Sequence, residues 1–185
     1  MDPVSQGVFG GMFSQFISSK KHIIVASVVG ICAGLSPDLD TLIRSSDDPL
    51  LHLEFHRQFT HSLIFIPFGA LVIALLFKFI FLKNFSFFKI YIFALIGYST
   101  HGLLDACTSY GTQLLWPFSN ERFAWNSISI IDPLLTIPIL LLMFLAVIMK
   151  NKFLNIVSLV WIFAYIGFGF FQSSLALKEA INLAK

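Results

Sequence analysis

Six apolar runs, too long and too continuous for the surface of a water-soluble domain, dictate the fold class of this chain. They cover residues 3–19, 22–37, 62–82, 88–107, 133–149 and 153–176. Backbone amides in lipid have no water to pair with, so each run must be helical. At about 1.5 Å per residue the shorter runs reach ~24–26 Å across a hydrocarbon core of about 30 Å. The composition agrees, with 57% hydrophobic and 12% charged residues, about half the ~25% charge of soluble domains. The sequence therefore predicts an all-α, polytopic membrane protein of about six membrane-embedded helices, one domain over residues 1–185. The first run, with Gly7, Gly10 and Gly11, reads either as a full span or as a half-inserted helix.

Basic residues set the expected orientation. Lys20 and Lys21, Lys83 and Lys89, and Lys150 and Lys152 lie in three short turns that six spans bring to one face. The positive-inside rule makes that face cytoplasmic. The longer loops, 38–61 and 108–132, then face the extracytoplasmic side despite carrying Arg44, Arg57 and Arg122. The start, MDPVSQGVFGG, has an acid at position 2 where a cleavable signal carries positive charge, so it reads as retained. A net charge of +2 gives no reason to expect a nucleic-acid partner. Cys32 and Cys107 sit in apolar stretches without metal-type spacing and read as small buried hydrophobes.

The unusual polar residues converge on the outer end of this map. Asp2 and Gln6 open the first run, and Asp38 and Asp40 of SPDLD close the second. His56, Arg57 and His61 of HRQFTH open the third, with Thr60 as an expected N-cap. His101 and Asp105 lie in the outer third of the fourth, and Asp132, followed by Pro133, caps the fifth. Ionisable groups at membrane depth cost several kcal/mol unless they are paired or hold an ion. His22, His52, Glu54 and the SSDDP stretch read as solvated flank or loop.

The spacing within HGLLD is the sharpest signal. His101 and Asp105 are i and i+4, so they share one helical face and can grip one ion together. His101 is 12 residues beyond Lys89, about 18 Å along a helix and below the headgroups. Asp38 and Asp40 stand at the negative end of a helix, where Arg44 or a metal would offset their charge. Arg57 suits the planar, two-pronged grip of a phosphate. The second outer loop adds Thr108, Tyr110 and Arg122 as polar contacts, and its aromatic residues predict a lid on the membrane surface.

Together MDPVSQ, PDLD, HRQFTHSL, HGLLDACTSYGTQLLWPF and IIDPLLT, from residue 2 to about 137, resemble the YdjM-like family of inner-membrane metal-dependent hydrolases. That family is in turn similar to zinc-dependent phospholipase C and P1-type nucleases. The resemblance implies Asp40 or Asp38 as the early acid, His56 or His61 as the next ligand, and His101 with Asp105 as the H-x-x-x-D pair. Many family members carry a histidine where Gln6 stands, and no second H-x-x-x-[DE] follows here. One or two divalent ions, Zn2+ foremost, are therefore expected.

The sequence thus predicts a zinc-type hydrolase at the outer membrane surface. Its expected metal ligands are Asp40, His56, His61, His101 and Asp105, with Asp38, Asp40 and Arg57 in catalysis. The expected substrate is a phospholipid or lipid-linked phosphoester. Two other classes remain open: a non-catalytic scaffold or lipid-binding protein with a structural metal, and a transporter. The transporter needs polar residues through the full thickness, and the lysine half of the sequence offers few.

Overall fold

The computed structural model describes residues 1–43 and 55–184. Arg44, the SSDDP stretch, His52 and Glu54 lie outside the described residues. Six α-helices are present among the described residues: α1 (Pro3–Ile17), α2 (Ile23–Leu35), α3 (Ile66–Leu76), α4 (Phe87–Ala106), α5 (Pro133–Met149) and α6 (Phe153–Leu183). Short 3-10 turns extend α2 through Ser36–Leu42 and lead into α3, which runs on through a π-helical turn to Phe81. Lys20–Leu42, Leu63–Phe81, Phe87–Ala106 and Phe153–Leu183 are long and apolar enough to cross a bilayer, and Pro133–Met149 is a shorter apolar helix.

α1 is the departure from six equal spans. Its 15 residues reach only about 22 Å. It packs against α2, α4, α5 and α6 with most of its residues buried. Lipid therefore does not have to solvate it; the other helices do. α6 departs the other way and runs past residue 176 to Leu183. The tail LALKEAINL loses hydropathy but keeps strong helix formers, which carry the helix beyond its apolar stretch.

Glycines set how closely the central helices meet. A Cβ at Gly10 would collide with Gly30 O, and one at Gly97 would lie 2.6 Å from it. Without side chains there, the backbones of α1, α2 and α4 touch, as small residues allow in membranes. One turn along each helix, in the direction away from the lysine turns, come Gln6, Gly34 and His101. Close backbone contact at the glycine junction thus fixes the register of three site-bearing segments.

The two ends are distinct. At the lysine end, His22 packs edge-on against Phe85, joining the first two turns. At the other end the second long loop folds down onto the bundle: Asp2 N–H donates to Ile130 O (3.0 Å) and Leu63 N–H to Leu114 O (2.9 Å). Thr108, Thr112 and Leu114 are buried there while Phe118 stays exposed. Large apolar residues such as Phe68, Phe79, Leu134 and Phe163 point outward around the bundle, as lipid-facing surface requires.

Candidate metal centre

Four side-chain atoms from three segments meet beyond the glycine junction. His61 Nε2 lies 2.9 Å from His101 Nε2, 3.2 Å from Asp105 Oδ2 and 3.5 Å from Asp38 Oδ1. His101 Nε2 lies 3.3 Å from Asp38 Oδ1 and 3.6 Å from Asp105 Oδ2. Five edges of the polyhedron therefore span 2.9–3.6 Å. A tetrahedral site with bonds of about 2.0–2.1 Å has edges near 3.3 Å. The donor set, two imidazoles and two carboxylates, suits zinc or a related divalent ion.

Local structure explains each position. His101 and Asp105 share a face of α4 through their i, i+4 spacing. Asp38 comes from the 3-10 turn after Pro37. His61 ends the 3-10 turn Phe59–His61, just before the helical part of the third run. That turn can press against α4 only because residue 102 is glycine, where a Cβ would collide with His61 O.

The surroundings orient three of the four donors for a cation. His101 Nδ1 sits 2.6 Å from Gly34 O, which takes its proton and leaves Nε2 as an acceptor. His61 Nδ1 lies 2.9 Å from Thr60 Oγ1 and 3.3 Å from Asp40 Oδ2, so its Nε2 is likewise turned inward. Asp105 divides its two oxygens. Oδ1 takes Gln6 Nε2 at 3.0 Å, Arg57 Nη2 at 3.3 Å and the Met1 amine. Oδ2 is buried with no hydrogen bond of its own. Burial disfavours charge on His61, but the Asp105, Asp38 and Asp40 carboxylates outweigh it and push its pKa up to about 10. The pocket thus draws positive charge to its centre.

A second layer borders these four. Asp40 Oδ1 lies 2.9 Å from His56 Nδ1, and its Oδ2 accepts from Arg57 N–H at 3.1 Å and Thr60 Oγ1 at 2.9 Å. Thr60 therefore holds Asp40 rather than capping a helix. Arg57 adopts a left-handed backbone (φ +62°), a strained choice for a non-glycine. Its buried guanidinium donates to Thr108 Oγ1 (3.2 Å) and lies 4.6 Å from the Tyr110 ring centroid. Asp38, Asp40 and His56 also form a grouping able to hold an ion.

The remaining predicted contacts separate. Asp2 caps α1 through Ser5 N–H, and Asp132 caps α5 through Leu135 N–H while accepting from Tyr165 OH. Arg122 lies along the second loop at Gly111 O (3.4 Å). Cys32 and Cys107 are free thiols. Sequence reasoning passed over Thr60 as an orienting group, although its place between Arg57 and His61 was a signal. It also passed over Ser14, Gln15, Ser27, Asn155 and Ser158, which are buried in the lysine half.

The sequence profile of the YdjM inner membrane protein family matches residues 1–176. The chain belongs to this family. Among curated proteins, it is 35% identical over 107 residues to inner membrane protein YbcI of Escherichia coli, covering 55% of this chain and 60% of that one. It is 28% identical over 115 residues to uncharacterized protein YfhP of Bacillus subtilis, covering 62% of this chain and 34% of that one. The chain thus spans less than two thirds of either relative. No solved structure matches it. YdjM membership and the apolar helices make this a multi-pass inner membrane protein.

Proposed function

We propose that this YdjM-family chain is a membrane-embedded, metal-dependent hydrolase that cleaves a phosphoester of a phospholipid or lipid-linked substrate. The observation that carries the reading is the meeting of Asp38, His61, His101 and Asp105, whose donor atoms lie within 4.8 Å of one another, three of the four side chains being buried. When bound there, a divalent ion supplies Lewis acidity, acidifying water and polarising a phosphoryl oxygen.

The chain's own groups supply the rest. Asp38, with 27% of its side chain accessible, is the one member of the four that faces an opening. His56, held at Nδ1 by Asp40 and 20% accessible, keeps Nε2 for taking a proton from the attacking water and returning it to the leaving oxygen. Arg57, with Nε buried and unpartnered, has a spare donor for charge that builds on phosphate. The three lysine turns support an extracytoplasmic site by the positive-inside rule.

The second reading is a structural metal in a non-catalytic protein, since four protein donors close a tetrahedron as structural zinc sites do. A defined phospholipid panel in vesicles, assayed with and without chelator, separates the two. Chelator-sensitive turnover restored by zinc supports the hydrolase. No turnover by metal-loaded protein overturns it.

A further inference from the structure

A cavity of about 600 Å³ lies between the second long loop and the half of α6 away from the lysine turns. Its polar lining is Ser109, Asn126, Ser127, Ser129, Gln172 and Ser173, with Asp132 and Tyr165 beside them. Hydroxyl and amide groups both donate and accept hydrogen bonds. Among the described residues, no lysine or arginine lines the cavity. The Asp132 carboxylate in its wall is already engaged by Tyr165 OH and Leu135 N–H. An anion finds no counter-charge here, and an acyl chain would leave the polar groups unpaired. Ile128, Phe168 and Ala176 add apolar wall, against which the carbon face of a ring can lie.

Position narrows the ligand further. Tyr165 and Ser173 lie 12 and 20 residues along α6 from Phe153 at the lysine end. That is about 18 and 30 Å, so the cavity runs up to headgroup level. The cleft is built in: at residue 169 any Cβ would collide with Ser127 O, so glycine there lets α6 close on the loop. The wall also joins the metal centre. Ser109 is four residues from Asp105, at most about 14 Å of chain. Asn126 N–H donates to Thr108 O, and Thr108 Oγ1 accepts from Arg57.

We propose that this cavity binds an uncharged polyhydroxylated group, a sugar or glycerol moiety, brought by a lipid headgroup or by a free sugar. The cavity stands without hydrolysis. The step that makes the substrate a polyol-bearing lipid phosphate, with its phosphate at Arg57 and the metal centre, rests on the proposed hydrolase function.

The test uses the whole protein in an amine-oxide detergent, which has no sugar of its own, and reads ligand retention by native mass spectrometry. The probes are glucosyl-dioleoylglycerol, dioleoylglycerol and glucose. The glucosyl lipid is retained at least about tenfold better than dioleoylglycerol, and Gln172→Ala with Ser173→Ala removes about tenfold of that, as expected for lost ligand hydrogen bonds. Gln172 is exposed on α6 and Ser173 only half-buried, so the helix tolerates both changes, and bound metal should not change. Competition by free glucose assigns the site to soluble sugar, and its failure assigns the site to lipid; both support a polyol. Equal retention of dioleoylglycerol, or retention indifferent to both substitutions, overturns the site. Intact Gln172-dependent retention without any lipid turnover sinks the hydrolase and leaves this cavity standing.

Discussion

The Nε2 atoms of His61 and His101 face each other at 2.9 Å, each ring turned by an acceptor on its far nitrogen. Two imidazole lone pairs at that distance repel unless a cation or a shared proton lies between them. Each ring comes from a different segment, so the pairing is made by tertiary packing and not by local spacing. His101→Ala or His61→Ala should lower bound metal from about one ion per chain to less than about a tenth. Elemental analysis of purified protein reads this, with His22→Ala at the lysine end as the unaffected control.

Asp40 touches His61 from behind, through Nδ1. Asp40→Asn should weaken metal affinity by about 10–100-fold, the usual cost of losing an orienting partner, yet still reach full occupancy at high metal. Competition with a chromophoric chelator measures it. Loss as complete as that of His61→Ala would make Asp40 a direct ligand.

Gly102 is where the His61 turn rests on α4. Gly102→Ala should destabilise the protein by about 1–3 kcal/mol, the cost of overpacking, and reduce metal content by moving His61. Gly167→Ala, where an added Cβ meets nothing within 4 Å, should be neutral or stabilising by up to about 1 kcal/mol. Thermal unfolding in detergent compares the two; equal melting temperatures would contradict the packing account.

The i, i+4 pair of His101 and Asp105 was legible because both residues sit on one regular helix. So were the six helices, since hydrocarbon leaves an apolar run no other structure. Which of Asp38 and Asp40 faces the histidine pair was not legible, because a 3-10 turn after Pro37 sets it. Nor was the choice between His56 and His61, which depends on the left-handed backbone of Arg57 between them. The central burial of α1 was hidden too, since its glycines weaken the span signal while enabling the close packing.

Metal binding should be linked to pH through His61. Its raised pKa of about 10 means that the proton stabilises the metal-free fold fully below about 6.5, and this contribution fades as pH rises through 10. A metal ion must displace that proton. Apparent affinity should therefore climb by up to about tenfold per pH unit between pH 6 and 8. Calorimetry in buffers of different ionisation enthalpy should count about one proton released per ion; none released would contradict the arrangement.

Arg57 grips through a planar fork that lysine cannot reproduce. Arg57→Lys should keep bound metal within about twofold while reducing lipid turnover by about 10²–10³-fold, the range for removing one transition-state donor. Turnover and metal content measured on the same preparation separate this from a loss of the ion.

X-ray absorption at the zinc edge on purified, zinc-loaded protein tests the central claim most directly. The account predicts one ion per chain, with two imidazole nitrogens and two carboxylate oxygens at about 2.0–2.1 Å, and loss of the imidazole signal in His101→Ala. Sulfur ligation by Cys32 or Cys107, or a spectrum unchanged by His101→Ala, would contradict it.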